Sequence, residues 1–178
     1  SNCTIRGNGR NTADTYPGYN ILNGVSSVNI TGGSSGNGYG TGVADSQSYG
    51  IQFGTGHSNI VVSGVDLTGN TLGSVLGGSS SVSVLDSCLT QDSNVVASAS
   101  TITLPIIGDL VVVSGTTTIN NIQVSRSGRR VTLMFQDALT IADGGNLKLA
   151  GSFSTSADDT LTLIYDGSFW VEVARSVN

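Results

Sequence analysis

The stretch Ser58-Asn59-Ile60-Val61-Val62-Ser63-Gly64-Val65 decides how this chain is read. Its β-branched run, closed by a glycine, has the form of a short strand with a turn behind it. Ser27-Val28-Asn29-Ile30-Thr31-Gly32 repeats the rhythm of apolar and polar positions ending in Gly. Cys3-Thr4-Ile5-Arg6-Gly7 is an earlier copy and Ser81-Val82-Ser83-Val84-Leu85-Asp86 a later one. A second strand signal precedes the middle copies, first Tyr19-Asn20-Ile21-Leu22-Asn23 and then Tyr49-Gly50-Ile51-Gln52-Phe53. Each unit of about 22 to 32 residues therefore carries at least two short strands joined by Gly/Asn turns, the signature of a β-solenoid. Alternate Ile and Val side chains point inward and stack on their equivalents one coil away. Gly or Asn supplies the positive φ that corners need.

Composition agrees with an all-β chain. The 178 residues include 25 Gly, and only 11% are charged. Lys148 is the sole lysine and Glu172 the sole glutamate, so the residues that favour exposed helix are missing. The 38% apolar content supports a core and argues against disorder. A net charge of -5 argues against nucleic acid as a partner, which needs a cationic footprint. No stretch approaches 18 apolar residues, so membrane insertion as a helix is not expected. No segment reads as a signal peptide. The chain opens on Ser1-Asn2-Cys3-Thr4-Ile5, without an initiator Met. It is expected to continue an N-terminal partner region. Cys3 and Cys88, three coils apart at about 4.8 Å per coil, lie beyond the roughly 7 Å that a disulfide spans. Both read as small buried hydrophobes.

The grammar changes near residue 95. Residues 1–94 read as the end of a parallel β-helix of few coils, and 95–178 as a separate β-domain. In the second part longer alternating strands follow one another: Thr101–Leu104, Asp109–Ser114, Thr117–Val124, Arg130–Phe135, Ala138–Ile141, Asn146–Leu149, Thr160–Tyr165 and Phe169–Ala174. Turns such as Ala142-Asp143-Gly144-Gly145 and Asp166-Gly167-Ser168 separate them, which predicts an antiparallel sandwich-like sheet. Leu110-Val111-Val112-Val113 is apolar on both faces, and burial on both sides or against another subunit is expected.

Several segments of this second part resemble the C-terminal module of bacteriophage tailspikes and tail fibres. They are Gly128-Arg129-Arg130-Val131-Thr132-Leu133-Met134-Phe135, Leu139-Thr140-Ile141, Gly145-Asn146-Leu147-Lys148-Leu149, Asp159–Gly167 and Trp170–Ser176. The likeness covers roughly residues 100 to 178, through the closing Tyr-Asp-Gly-x-x-Trp. The preceding Tyr-Gly-Ile and Ser-Asn-Ile rungs are similar to pectate-lyase-like right-handed β-helices. The resemblance implies a homotrimer with right-handed parallel β-helices side by side, clamped by the C-terminal domain. It also implies a place in the virion tail, attachment to other phage tail proteins through a preceding N-terminal region, and host cell-surface polysaccharide or lipopolysaccharide as partner.

Many tailspikes depolymerise such polymers, so the carboxylates are weighed as catalytic groups. Hydrolysis by an acid/base pair needs two carboxyls roughly 5 to 9.5 Å apart. Asp14, Asp45, Asp66, Asp86 and Asp92 are available in the first part. Asp45, Asp66 and Asp86 make the alternative, catalytic reading, with Asp86 taken as the position of Asp66 one coil later. Ordinary outward polar alternation or turn capping explains the same residues, and no catalytic site within the chain is the preferred reading. Glycan binding needs exposed aromatic rings and polar groups. Tyr16 and Tyr39 lie inside the insertions 8–17 and 33–45, and Asp45 is close by. Those three are the glycan-binding candidates, while Tyr19 and Tyr49 read as equivalent strand-start residues. Trp170, beside Phe169, reads as a core or trimer-seam anchor. Arg126, Arg129 and Arg130 form a basic cluster suited to an acidic polysaccharide or, preferably, to Asp137 or Asp158 of a neighbouring copy. His57 is the lone histidine and reads as a corner residue, because one His without a Cys cluster makes no metal site. Gly7-Asn8-Gly9 and Gly36-Asn37-Gly38 are turns and not nucleotide cradles, and no cofactor is expected. A non-viral secreted β-helix protein is the remaining alternative.

Overall fold

A computed structural model of the chain describes residues 4–5, 16–36, 47–78, 83–86, 88, 90 and 93–178, with 4–5 and 83–86 described by their backbone. Among these residues every regular element is a strand, so the chain is all-β. It divides into two compact units, Ser1–Ser93 and Asn94–Asn178.

In the first unit the chain makes three circuits. The first comprises β1 (Thr4–Ile5), β2 (Tyr19–Ile21) and β3 (Ser26–Thr31). The second comprises β4 (Ser34–Ser35), β5 (Tyr49–Phe53) and β6 (Ser58–Ser63). The third runs through a bridge at Asp66, then β7 (Gly73–Leu76) and β8 (Ser83–Asp86). Each strand pairs in parallel with the corresponding strand of the next circuit, giving three ladders visited in a fixed order. Val28 pairs with Ile60 and Ile30 with Val62, so the rungs read from the sequence lie side by side. Ile51, Ile60, Val62, Val65 and Leu67 are fully buried, each contributing about 1.5–3 kcal/mol by leaving water.

The tyrosine equivalence needs correction. Tyr19 pairs with Ile51 and Ile21 with Phe53, while Tyr49 pairs with Gly73. The register is shifted by two residues from an alignment of the two Tyr-x-Ile segments. The reason lies at Gly18: a Cβ there would stand 1.7 Å from Ser35 Oγ and 2.9 Å from the Gly50 carbonyl. Gly18 and Gly50 are therefore stacked where a buried polar group needs the space of two absent side chains.

The second unit holds β9 (Val95–Ala97), β10 (Thr101–Ile102), β11 (Leu110–Ser114), β12 (Asn121–Ile122), β13 (Arg130–Phe135), β14 (Thr140–Ile141), β15 (Leu147–Lys148), β16 (Phe153–Ser154), β17 (Thr160–Tyr165) and β18 (Trp170–Ser176). Six of them form one sheet in the order β15-β18-β17-β13-β11-β9. The expected antiparallel sheet is corrected to a mixed one. β9, β11 and β13 are mutually parallel, as are β15 and β18, whereas β13-β17 and β17-β18 are antiparallel. Residues 98–109 and 115–129 join the parallel strands, and segments of that length are crossovers, not hairpins. They carry β10 and β12, which pair in parallel with each other.

Alternation along β11, β13 and β17 turns Val111, Val113, Val131, Leu133, Phe135, Leu161, Leu163 and Tyr165 into one core with Trp170, Ile102, Ile122, Ile141 and Phe153. Trp170 is fully buried, as a core anchor should be, and its indole N–H donates to the Gln123 carbonyl at 3.2 Å. Phe169 is 37% exposed, with Lys148 Nζ 4.5 Å from its ring centroid. In the doubly apolar run, Val111, Val112 and Val113 are buried and Leu110 is exposed.

Candidate functional site

The first unit concentrates its polar chemistry at the corner leading from the Ser34–Asp66 ladder into the β2-β5-β7 ladder. Ser35, Gln47, Asn70 and Ser74 are all buried there. Ser35 Oγ donates to the Gly50 carbonyl at 2.7 Å, and Gln47 Nε2 donates to Ser35 Oγ at 3.0 Å and to Asn70 Oδ1 at 2.7 Å. Asn70 Nδ2 in turn donates to the carbonyls of Ser35 (3.0 Å) and Leu67 (2.6 Å). Buried amides bonded this way fix where each circuit turns, because shifting the register would strand their donors in an apolar interior.

Residues 16–18, 47–49 and 71–72 stack at this corner. Ser48 N–H donates to the Tyr16 carbonyl at 3.0 Å, and Leu72 N–H donates to the Ser48 carbonyl at 2.9 Å. Tyr16 is 54% exposed and Leu72 52% exposed. Tyr16 therefore combines a hydrogen-bonded backbone with an exposed aromatic residue, the residue type that stacks on a sugar ring. Tyr39 and Asp45, the other two glycan-binding candidates, lie outside the described residues.

Of the carboxylates weighed in the alternative, catalytic reading, Asp45 lies outside the described residues. Asp66 Oδ1 accepts from Thr68 N–H at 2.9 Å and from Thr68 Oγ1 at 2.6 Å, a local turn that occupies the carboxylate. Asp86 pairs in register with Ser63, not with Asp66. Two residues, Gly64 and Val65, then carry the chain off that ladder to the Asp66 bridge, with Gly64 at a φ of 61°. Asp66 and Asp86 consequently belong to different ladders, and the equivalence drawn from Val-Asp-Leu and Leu-Asp-Ser is corrected. A strand three residues further along is on another face, which a match of short motifs does not reveal.

His57 is a corner residue. It is 8% exposed, its Nδ1 lies 3.0 Å from the Gly54 carbonyl oxygen, and its ring centroid is 5.3 Å from that of Phe53. Among the described residues no three His, Cys, Asp or Glu side chains converge. Cys88 is half-buried and its Sγ donates to the Val62 carbonyl at 3.7 Å, and Cys3 lies outside the described residues.

The second unit adds a recess that the sequence reading passed over. It has a volume of about 320 Å³ and is lined by Thr116, Thr118, Leu139, Thr140, Ser154 and Thr155, with Ala138. Thr140 pairs across β14 and β16 with Ser154, and the Ile119–Ile141 bridge brings Thr118 alongside Thr140. The result is a row of small hydroxyls without a charged group. Only the Thr-Thr-Thr run at 116–118 hinted at it, and such a run is equally at home in any strand. No family model, curated protein or solved structure matches the chain.

Proposed function

We propose that this chain is the distal part of a bacteriophage tailspike or tail fibre, in which right-handed parallel β-helix coils lead into a terminal β-domain. In this reading three copies associate, and the protein adheres to host cell-surface polysaccharide as a component of the virion tail. The observation that carries the proposal is the set of three parallel ladders, visited in fixed order, with residues 16–18, 47–49 and 71–72 stacked at one corner beside the exposed Tyr16. A chain laid down in such circuits presents its excursions as neighbours on one face, a surface able to follow an extended polymer. The sequence likeness over residues 100 to 178 supplies the assignment to a particle.

Adhesion is preferred over depolymerisation because Asp66 and Asp86 fall on different ladders. Sedimentation velocity of the chain at micromolar concentration, followed by binding to purified capsule and lipopolysaccharide, tests the proposal. A threefold mass is expected, together with polymer binding that weakens in Tyr16→Ala. A monomer that binds neither polymer would overturn it.

A further inference from the structure

The second unit contains a cationic turn that the reading above does not use. Arg126, Ser127, Gly128 and Arg129 close a β-turn, with Arg129 N–H donating to the Arg126 carbonyl at 3.2 Å and Gly128 at a φ of 81°. A positive φ at the third position is the glycine requirement of a type II turn. The turn is tied to the end of β17. Gly128 N–H donates to the Tyr165 carbonyl at 2.7 Å, Tyr165 N–H to the Arg129 carbonyl at 2.9 Å, and Ser127 Oγ to the Asp166 carbonyl at 3.1 Å. Three arginines therefore lie at one end of the sheet with graded exposure, Arg129 buried, Arg126 half-buried and Arg130 exposed.

Arg129 is only 3% exposed, and its hydrogen-bond partners are neutral. It donates to the carbonyls of Pro105 (2.5 Å) and Gly108 (3.4 Å) and, at 3.5 Å, to Ser125 Oγ. Burial pushes its pKa below the usual arginine value, Arg126 pushes the same way, and Asp109 opposes them. Among the described residues the one ion pair is Glu172–Arg175, so none of the three arginines of the turn is ion-paired, and Asp109 acts on Arg129 only at longer range. A buried charge that is not ion-paired is costly, and the neighbouring Arg126 adds to that cost while Asp109 offsets part of it. A chain of net charge -5 that gathers three of its seven cations here has a surface suited to an anion.

Among the described residues, most carboxylates other than Asp109 are engaged elsewhere. Asp66 holds Thr68, Asp137 holds Gly115, Asp143 holds Leu149, Asp159 holds Ser156, Asp166 holds Phe169, and Glu172 holds Arg175. Asp137 and Asp158 lie toward the Phe135 end of β13, opposite Arg130. Glu172 and the five aspartates would have to give up existing hydrogen bonds to reach the turn of a neighbouring copy. We infer that the Arg126–Arg130 turn binds the carboxylate of a uronic acid, so that the polysaccharide of the proposed function is an acidic one. This rests on the adhesion reading for the polymer but not for the site itself.

The test is an NMR titration of the whole chain with sodium glucuronate, with glucose as the neutral control, following the arginine Nε–H signals. Glucuronate is expected to move those signals and glucose to leave them still. Binding should weaken about tenfold in the double variant Arg126→Gln/Arg130→Gln, which removes two charge-assisted contacts, and should fall as salt is raised. Both substituted residues lie outside the core, and unchanged Trp170 fluorescence will verify that the sheet is intact. Equal responses to glucuronate and glucose would overturn the site, as would glucuronate binding that survives the double substitution. If the double variant instead sediments as a smaller species and glucuronate has no effect, the turn faces another copy and the inference fails. Glucuronate binding without binding of any host polymer would support the site and sink the adhesion reading.

Discussion

Ser27 and Asn59, thirty-two residues apart, adopt the same left-handed backbone conformation at matching positions of neighbouring strands, with φ of 59° and 52°. The flanking pairs Ser26–Ser58 and Val28–Ile60 confirm the match. Side chains with a Cβ occupy this region at a cost of roughly 1–2 kcal/mol, which asparagine lessens by local hydrogen bonding. Ser27 therefore carries strain that Asn59 partly avoids. Ser27→Gly is expected to raise the stability of the first unit by about 0.5–1 kcal/mol. Urea denaturation followed by circular dichroism measures it, and a loss of stability would contradict the assigned backbone.

Gly36 and Gly24 share a positive φ but not an environment. A Cβ on Gly36 would stand 2.0 Å from the Thr68 carbonyl oxygen, whereas one on Gly24 would meet nothing within 4 Å. Gly24→Ala should cost only the backbone strain, about 1–2 kcal/mol. Gly36→Ala should cost several kcal/mol or prevent folding, since backbone cannot retreat as a side chain does. Similar midpoints for the two variants would refute the packing at that corner.

Asn70 is the hub of the buried polar column. Asn70→Ala removes its bonds to the Ser35 and Leu67 carbonyls and leaves Gln47 Nε2 with one partner fewer. A loss of about 2–4 kcal/mol is expected, from unsatisfied buried groups plus a small cavity. Chemical denaturation of the first unit provides the number, and a near-neutral effect would show that the column contributes little.

Acid should weaken the second unit. The Asp159 carboxyl is held below its ordinary range by backbone N–H donors from Asn178 and Ser156, Asp166 by those of Phe169 and Ser168, and Glu172 chiefly by Arg175. A carboxylate depressed in the folded state stabilises it above the unfolded pKa, and that contribution disappears as pH falls through the folded value. The second unit is thus expected to melt at a steady temperature near neutrality and progressively lower from about pH 4 downward. Asp159→Asn should flatten part of that dependence, and an unchanged acid limb would remove Asp159 from the account.

Trp170 is the sole tryptophan and lies in the core of the second unit, its ring centroid 5.1 Å from that of Tyr165. Its emission should be blue-shifted and should respond only when this unit opens. Trp170→Phe is expected to cost less than the roughly 3–5 kcal/mol of Trp170→Ala. Fluorescence and far-ultraviolet melts that separate into two transitions would mark the two units as unfolding independently.

Periodicity made the rungs legible. Val28, Ile30, Ile60 and Val62 alternate in phase, so their pairing followed from the pattern. The two-residue shift of Tyr19 against Tyr49 did not, because a slip by two preserves which face every side chain occupies. Only the absence of a Cβ at Gly18 and Gly50 distinguishes the two registers, and a repeated Tyr-x-Ile conceals it. In the second unit the strands were legible and their directions were not, since alternation is the same in parallel and antiparallel ladders. Lengths 98–109 and 115–129 carried that information. Asp66 and Asp86 show a related limit: identical local motifs change face when one precedes a corner and the other follows it.

The unequal spacing between the first two ladders has a wider consequence. Thirteen residues pass between Ile5 and Tyr19 and again between Ser35 and Tyr49, but only six between Asp66 and Gly73, while two residues suffice from Thr31 to Ser34 and from Ser63 to Asp66. One junction of the circuit therefore varies between six and thirteen residues while another keeps a constant two. The permissive junction works as a cassette slot. New segments could be exchanged there by recombination, or grafted in the laboratory, to retarget the molecule without rewriting the scaffold that displays them.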